Sequence, residues 1–264
     1  MSETKTAGTD GLDDGFLECA RECAEFLRGS DDLLLISHID ADGLTSAGIA
    51  STALDRAGIA HETRFSKQLD DEDLEEIERA GHDVVLFTDF GSGLLDEIVG
   101  CDFEPVIADH HQPSKDGDCE YHLNPLLFDI DGSSELSGAG TAYVLARALG
   151  DDAKNKDLAA LAVVGAVGDM QNQGGGLSGA NTAIVREGVE AGVIEAKQDL
   201  LLFGRQTRPL PKLLEYSTDV FIPGISKNST GAKELLEDAG VEAKNDEGWR
   251  TWAELDETER ENLT

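Results

Sequence analysis

Three short apolar runs, each followed at once by acidic or histidine residues, constrain this chain most. Leu33-Leu34-Leu35-Ile36-Ser37 leads into His38-Ile39-Asp40-Ala41-Asp42-Gly43. Val84-Val85-Leu86-Phe87-Thr88 leads into Asp89, and Pro105-Val106-Ile107-Ala108 leads into Asp109-His110-His111. Runs so short and so continuously apolar suit parallel strands buried on both faces. Segments with helical spacing lie around them: Leu12 to Leu27, Leu44 to Ala57 with Gly58 as its stop, Asp70 to Ala80 with Gly81 after it, and Leu94 to Val99. His61 to Phe65 fills the place of a further strand. Strands alternating with helices predict an α/β fold, a mainly parallel sheet flanked by helices. Later segments turn helical: Thr141 to Leu149, Lys156 to Val167, Asn181 to Ala191, Pro211 to Tyr216, Ser229 to Ala239 and the acidic stretch Trp249 to Thr264. This pattern divides the chain into an N-terminal helix over 1–30, an α/β domain bearing the motifs over 31–195, and a helical connector over 196–264.

The charge decides which surfaces are possible. Among 264 residues, 54 Asp and Glu face 21 Lys and Arg, a formal net charge of −33. Such repulsion is tolerable where salt screens it, since the Debye length falls to about 3 Å in molar salt. The composition therefore predicts a halophilic protein. It also leaves no broad basic patch, so a polyanion would have to be held by metals, backbone amides and a few local cations. No apolar run is long enough to span a membrane. The polar, acidic start, Met1 to Asp14, lacks the basic-then-apolar order of a signal peptide, so a cytoplasmic location is the default. Cys19, Cys23, Cys101 and Cys119 do not form a disulfide framework or two matched zinc pairs, and read as ordinary thiols.

In parallel α/β sheets ligands bind at the carboxyl ends of the strands. The residues just past those ends are His38, Asp40 and Asp42, then Asp89, then Asp109-His110-His111; Gly168-Asp169 follows a helix. In an extended turn, His38, Asp40 and Asp42 would share one side, with Gly43 letting the chain bend into the next helix. Carboxylates with imidazoles suit Mn²⁺ or Mg²⁺, Mn²⁺ being favoured by the histidines. Two such ions would clamp a phosphate and activate a water at neutral pH.

With these motifs the chain resembles the DHH phosphoesterase superfamily. Its four motifs stand in order: His38-Ile39-Asp40-Ala41-Asp42-Gly43, Asp89, Asp109-His110-His111 and Gly168-Asp169. Ser137-Gly138-Ala139-Gly140-Thr141, Leu202-Phe203-Gly204-Arg205-Gln206-Thr207-Arg208-Pro209-Leu210 and Phe221-Ile222-Pro223-Gly224-Ile225-Ser226 make it most similar to the archaeal RecJ-like nucleases. The resemblance implies one metal held by His38, Asp40 and Asp89, and a second by Asp42, Asp89, His110 and Asp169, with Asp89 bridging. It implies that Asp109 orients a neighbouring histidine and that His111 contacts the scissile phosphate. The implied reaction is hydrolysis of single-stranded DNA or RNA from an end, in repair or replication, with replisome proteins as further partners.

Other residues read less specifically. Gly138, Gly140 and Thr141 stand at a helix N-terminus, where free amides would bind a phosphate; a plain tight turn is the alternative. Arg205 and Arg208, and more weakly Lys212 and Lys227, are cations where cations are scarce. They would grip a nucleic-acid backbone or else form surface ion pairs. His61, His82 and His122 lack ligand spacing and read as structural or surface residues. Gly174 to Gly176 reads as a connector. RecJ-like proteins continue into a domain with a glycine-rich, histidine-containing motif that has no counterpart here, since all six histidines precede Leu123. The reading therefore expects a truncated chain or a shortened relative. It keeps two alternative functions, an oligonucleotide or cyclic-dinucleotide phosphodiesterase and a non-catalytic replisome scaffold.

Overall fold

A computed structural model describes residues 12–115, 117–150, 154–173, 176–197, 200, 202–218 and 221–264. The chain divides into two units, Met1–Ala196 and Lys197–Thr264.

The first unit is built on five parallel strands: β1 (Asp32–His38), β2 (Ala60–Ser66), β3 (Val84–Thr88), β4 (Glu104–Ala108) and β5 (Tyr121–Leu123). Their order across the sheet is β2-β1-β3-β4-β5. The apolar runs are buried because both faces are covered. Leu33, Leu35, Val84, Leu86 and Val106 point into one core, and Leu34, Ile36, Val85, Phe87 and Ile107 into the other. On the first face pack α1 (Asp14–Arg28) and α2 (Ala41–Ala57), and on the second α3 (Asp71–Ala80) and α4 (Leu95–Ile98). Helices α5 (Gly138–Leu149), α6 (Ala159–Gly168) and α7 (Gly179–Glu190) complete the first face. This is the expected α/β fold with a parallel sheet.

The second unit has its own core, formed by Leu202, Leu210, Leu213, Leu214, Leu236, Trp252 and Leu255 among others. It contains α8 (Leu210–Glu215), α9 (Ser229–Asp238), a hairpin of β6 (Lys244–Asn245) and β7 (Gly248–Trp249), and α10 (Glu257–Glu261). No helix among the described residues is long and apolar enough to cross a membrane.

The departures from expectation have local causes. Strand β5 is three residues long, too short to show a period, and exists through its pairing with β4. The stretch from Trp249 is not one helix. Its Thr251/Glu254 and Asp256/Glu259 capping boxes start two separate short turns. Helices α2 and α5 begin three residues earlier than expected, at Ala41 and Gly138. Asp40 and Ser137 cap them, accepting from the amides of Gly43 and Gly140. Gly174 and Gly175 lie outside the described residues, as does the chain before Leu12.

Candidate metal centre

The strand order reverses between β1 and β3, and at such a switch point a crevice opens outside the carboxyl ends of the strands. His38 closes β1 and Asp40 caps α2 immediately after it. His38 Nδ1 lies 2.9 Å from Asp40 Oδ2 and 3.8 Å from Asp89 Oδ2. Asp42 does not join them on one side of an extended turn, because the helix has already begun at Ala41. It joins His110 and Asp169 instead, with His110 Nε2 3.7 Å from Asp42 Oδ2. Gly43 is likewise not a bend. It sits in the first turn of α2, where a Cβ would collide with the carbonyl and Cβ of His38.

Asp89 follows β3 in a left-handed conformation, φ 63°, uncommon outside glycine. Its amide donates to the carbonyl of Ala108 on the neighbouring strand. Its carboxylate is 1% exposed, and neither oxygen has a hydrogen-bond partner among the described residues. Gly138 leaves it room, since a Cβ there would strike the Asp89 carboxylate. Burial pushes the Asp89 carboxyl up to about 8 and raises Asp42 as well. In both, burial outweighs the opposing influence of the nearby His110 ring.

His110 supplies the complementary face. Its Nδ1 donates to the carbonyl of Gly132 at 2.6 Å, an assignment made from the bond, which leaves the Nε2 lone pair free. Nε2 is buried without a partner and lies 3.3 Å from Asp89 Oδ1. Asp169, which caps the end of α6, places Oδ2 3.9 Å from His110 Nδ1.

Asp42 is held by the start of α5. It accepts from Ser137 Oγ at 3.0 Å, Gly138 N at 2.7 Å and Ala139 N at 3.0 Å. This corrects the expectation of a phosphate site at Gly138, Gly140 and Thr141. Those residues are buried. The Gly140 amide donates to Ser137 Oγ, and Thr141 Oγ1 donates to the Ser137 carbonyl. The helix N-terminus is used to hold a carboxylate of the protein itself.

Asp109 is fully buried. It accepts from the amides of Ser92, His110 and His111 and from His111 Nδ1 at 2.8 Å. Burial alone would raise its carboxyl, yet the bond from His111 and the charges of both histidines hold it well below the usual range. The same bond raises His111, whose ring is half exposed. Asn124 Nδ2 donates to the His111 carbonyl and to Ser92 Oγ, and Ser92 Oγ also meets His122 Nε2 at 2.8 Å. His122 is thus a buried structural residue.

Several neighbours escaped the sequence reading. Ser137 holds Asp42. Gln171 donates to both Asp169 Oδ2 and the Gly132 carbonyl, and Asn181 donates to Gln171. Lys67, just beyond β2, lines a cleft of about 250 Å³ with His38, Asp89, Phe90, Asp109 and His111. Gln171 stands two residues after Asp169, a spacing that could have drawn attention; Lys67 stands near no motif. Arg205 and Arg208 belong to the second unit. Arg205 Nη1 donates to the Leu200 carbonyl, and Arg208 lies over the Phe203 ring. The four cysteines are free thiols.

The donor set fits divalent cations of the Mn²⁺ or Mg²⁺ kind. Two groups, His38/Asp40/Asp89 and Asp42/His110/Asp169, each bring a nitrogen and carboxylate oxygens within 4.8 Å of one another, and the unpartnered atoms of Asp89 and His110, one from each group, lie 3.3 Å apart.

Comparison with known proteins identifies the family and the fold. Residues 32–166 match the model of the DHH family, N-terminal domain, and residues 202–264 match the DHH-CID domain. A relative from Methanocaldococcus jannaschii, uncharacterized protein MJ0831, is 31% identical over 236 residues, covering 87% of this chain and 51% of the relative. The chain thus spans about half the length of that relative. A manganese-bound exonuclease RecJ shares the fold at 23% identity with a TM-score of 0.54, over 86% of this chain and 52% of RecJ. CDC45 from Entamoeba histolytica does so at 13% identity with a TM-score of 0.55, over 94% and 55%.

Proposed function

The chain belongs to the DHH family of metal-dependent phosphoesterases, and from that premise we propose that it is a phosphodiester hydrolase acting as an exonuclease on single-stranded DNA or RNA. The observation that carries this is Asp89. A carboxylate buried with both oxygens unpartnered, within reach of His38, Asp40 and His110, is costly in its charged form unless cations complete it.

His38, Asp40 and Asp89 would hold one Mn²⁺ or Mg²⁺. Asp42, Asp89, His110 and Asp169 would hold the other, with Asp89 shared. Ions bound there supply Lewis acidity toward a phosphate and lower the pKa of water. The chain's own residues do the rest. Gly132 and Gln171 fix the His110 ring and Asp169 by hydrogen bonds. Asp109 holds His111 through Nδ1, so that its Nε2 is the nitrogen left for a phosphate oxygen. There a protonated ring offsets the charge that builds up during hydrolysis. Lys67 supplies a positive charge on the same cleft for an adjoining phosphate.

A cytoplasmic, salt-adapted protein of DNA repair or replication is the setting this reading assigns. The chemistry is tested by following end-labelled single strands and a dinucleotide in molar KCl with Mn²⁺. Progressive release of mononucleotides from the long strand is expected. Equal or faster turnover of the dinucleotide would replace the exonuclease by a small-substrate phosphodiesterase.

A further inference from the structure

The second unit holds a cavity of about 450 Å³ whose lining includes Leu202, Phe203, Arg208, Tyr216, Ser217 and Lys227. Its volume suits one ligand of nucleotide size. Its chemistry is unlike the rest of the chain. With 54 acidic residues in the sequence, a surface cavity would ordinarily carry carboxylates; among the described residues this one is lined by two cations and no acid. Neither Arg208 nor Lys227 has an ion-pair partner among the described residues. The Arg208 guanidinium instead lies 5.1 Å over the ring of Phe203. Both rings of the cavity are open to solvent, Phe203 at 73% and Tyr216 at 53%.

The cavity is also fixed in place. The Lys227 amide donates to the Glu215 carbonyl at the end of α8, holding Lys227 at φ 63°. Buried Ser217 and Ser226 bond to each other at 2.7 Å, and Ser226 Oγ accepts from the Ile222 amide. The loop around Lys227 is thereby locked to the end of α8, while the loop after Phe203 is tied elsewhere, the Leu210 amide donating to the Arg250 carbonyl and the Ala253 amide to the Arg205 carbonyl.

We propose that this cavity is a nucleotide-binding subsite for single-stranded nucleic acid, separate from the metal centre. Phe203 and Tyr216 stack a base, and Arg208 and Lys227 hold the flanking phosphates. Solvent-open aromatic rings, each with a cation over one side (Arg208 at Phe203, Lys212 at Tyr216), are what a single strand needs, and stacking accepts any base. In a chain of net charge −33 a polyanion is held without metal most readily where carboxylates are sparse, and none of the described residues lining this cavity carries one. The inference rests on the nucleic-acid reading above but not on hydrolysis.

The test is binding by the full chain in EDTA, where no cleavage occurs. Oligothymidylate and oligouridylate carrying a photoreactive halogenated uracil are crosslinked, and the adducts are mapped by mass spectrometry. Adducts at Phe203 or Tyr216 are expected with both sugars. Phe203→Ala should weaken binding about tenfold. Lys227→Ala should lower the slope of log affinity against log salt by about 0.7. Adducts confined to residues outside the cavity, wild-type affinity in Phe203→Ala, or absence of any oligonucleotide binding would each overturn the subsite. Phe203 is exposed, so its replacement leaves the fold intact, which circular dichroism verifies. Strand cleavage with Mn²⁺ but no adducts here would leave the hydrolase standing and remove the subsite; adducts here without cleavage would do the reverse.

Discussion

His110 Nε2 lies 3.3 Å from Asp89 Oδ1, and both atoms are buried without a hydrogen-bond partner among the described residues. Two polar atoms so placed destabilise the metal-free protein, because each has lost water and gained little. Asp89→Asn should therefore raise the melting temperature in EDTA while abolishing the rise that Mn²⁺ produces in the wild type. Mn²⁺-dependent hydrolysis should fall by far more than the roughly 10–100-fold typical of an outer partner. An Asp89→Asn protein that still hydrolyses with Mn²⁺ would refute the assigned site.

Asp109 touches no solvent, yet it sets the ring of His111. Asp109→Asn keeps the shape and loses the charge. We expect kcat to drop roughly 10–100-fold, as for other residues that orient a ligand or acid, with little change in KM. The pH profile should move too. The bond to Asp109 raises His111, so the limb assigned to His111 should shift to lower pH in the variant. A profile that keeps its position would separate His111 from the reaction.

Lys67 places a positive charge on the cleft that His38, Asp89 and His111 line. Lys67→Met should raise KM for a single strand by about tenfold, the loss of one charge-assisted contact, and leave kcat nearly unchanged. Equal KM values in steady-state assays would place Lys67 outside the substrate path.

In the second unit, Arg250 grips Glu259 through both Nη atoms at 2.7 and 2.6 Å, and both side chains are largely covered. The guanidinium holds the Glu259 carboxyl below its usual range. A depressed folded-state pKa adds stability above the unfolded value, about 4.3, and loses it as pH falls through the folded one. Glu259→Gln should cost about 1–2 kcal/mol at pH 7. Denaturant melts of variant and wild type should converge once pH has fallen below the depressed folded-state value. A difference that persists there would mean the pair contributes through packing and not charge.

The surface charge makes its own prediction. Raising KCl from 0.1 M toward molar concentrations should raise the melting temperature by several degrees as self-repulsion is screened. A melting temperature insensitive to KCl would remove the halophilic reading.

The sequence by itself determined the sheet and where to look on it. Continuous apolar runs such as Leu33 to Ile36 have only one comfortable place, between two layers of helix, and the residues that follow them must then emerge at one edge. That follows from burial and period, both local properties of a chain. Tertiary structure alone decided the grouping. Asp42 left His38 and joined His110 because a helix cap at Asp40 turned the chain. The amides at Gly138 and Ala139 bind Asp42 and not a phosphate because α5 is packed against α2. Ser137 and Gln171 took up roles at the site that their neighbouring motifs did not announce, Asn124 and Lys67 reached it from segments with no motif, and Phe203, Arg208 and Lys227 met around one cavity across two loops. Contacts between residues far apart in the chain depend on packing, and no spacing along the sequence records them.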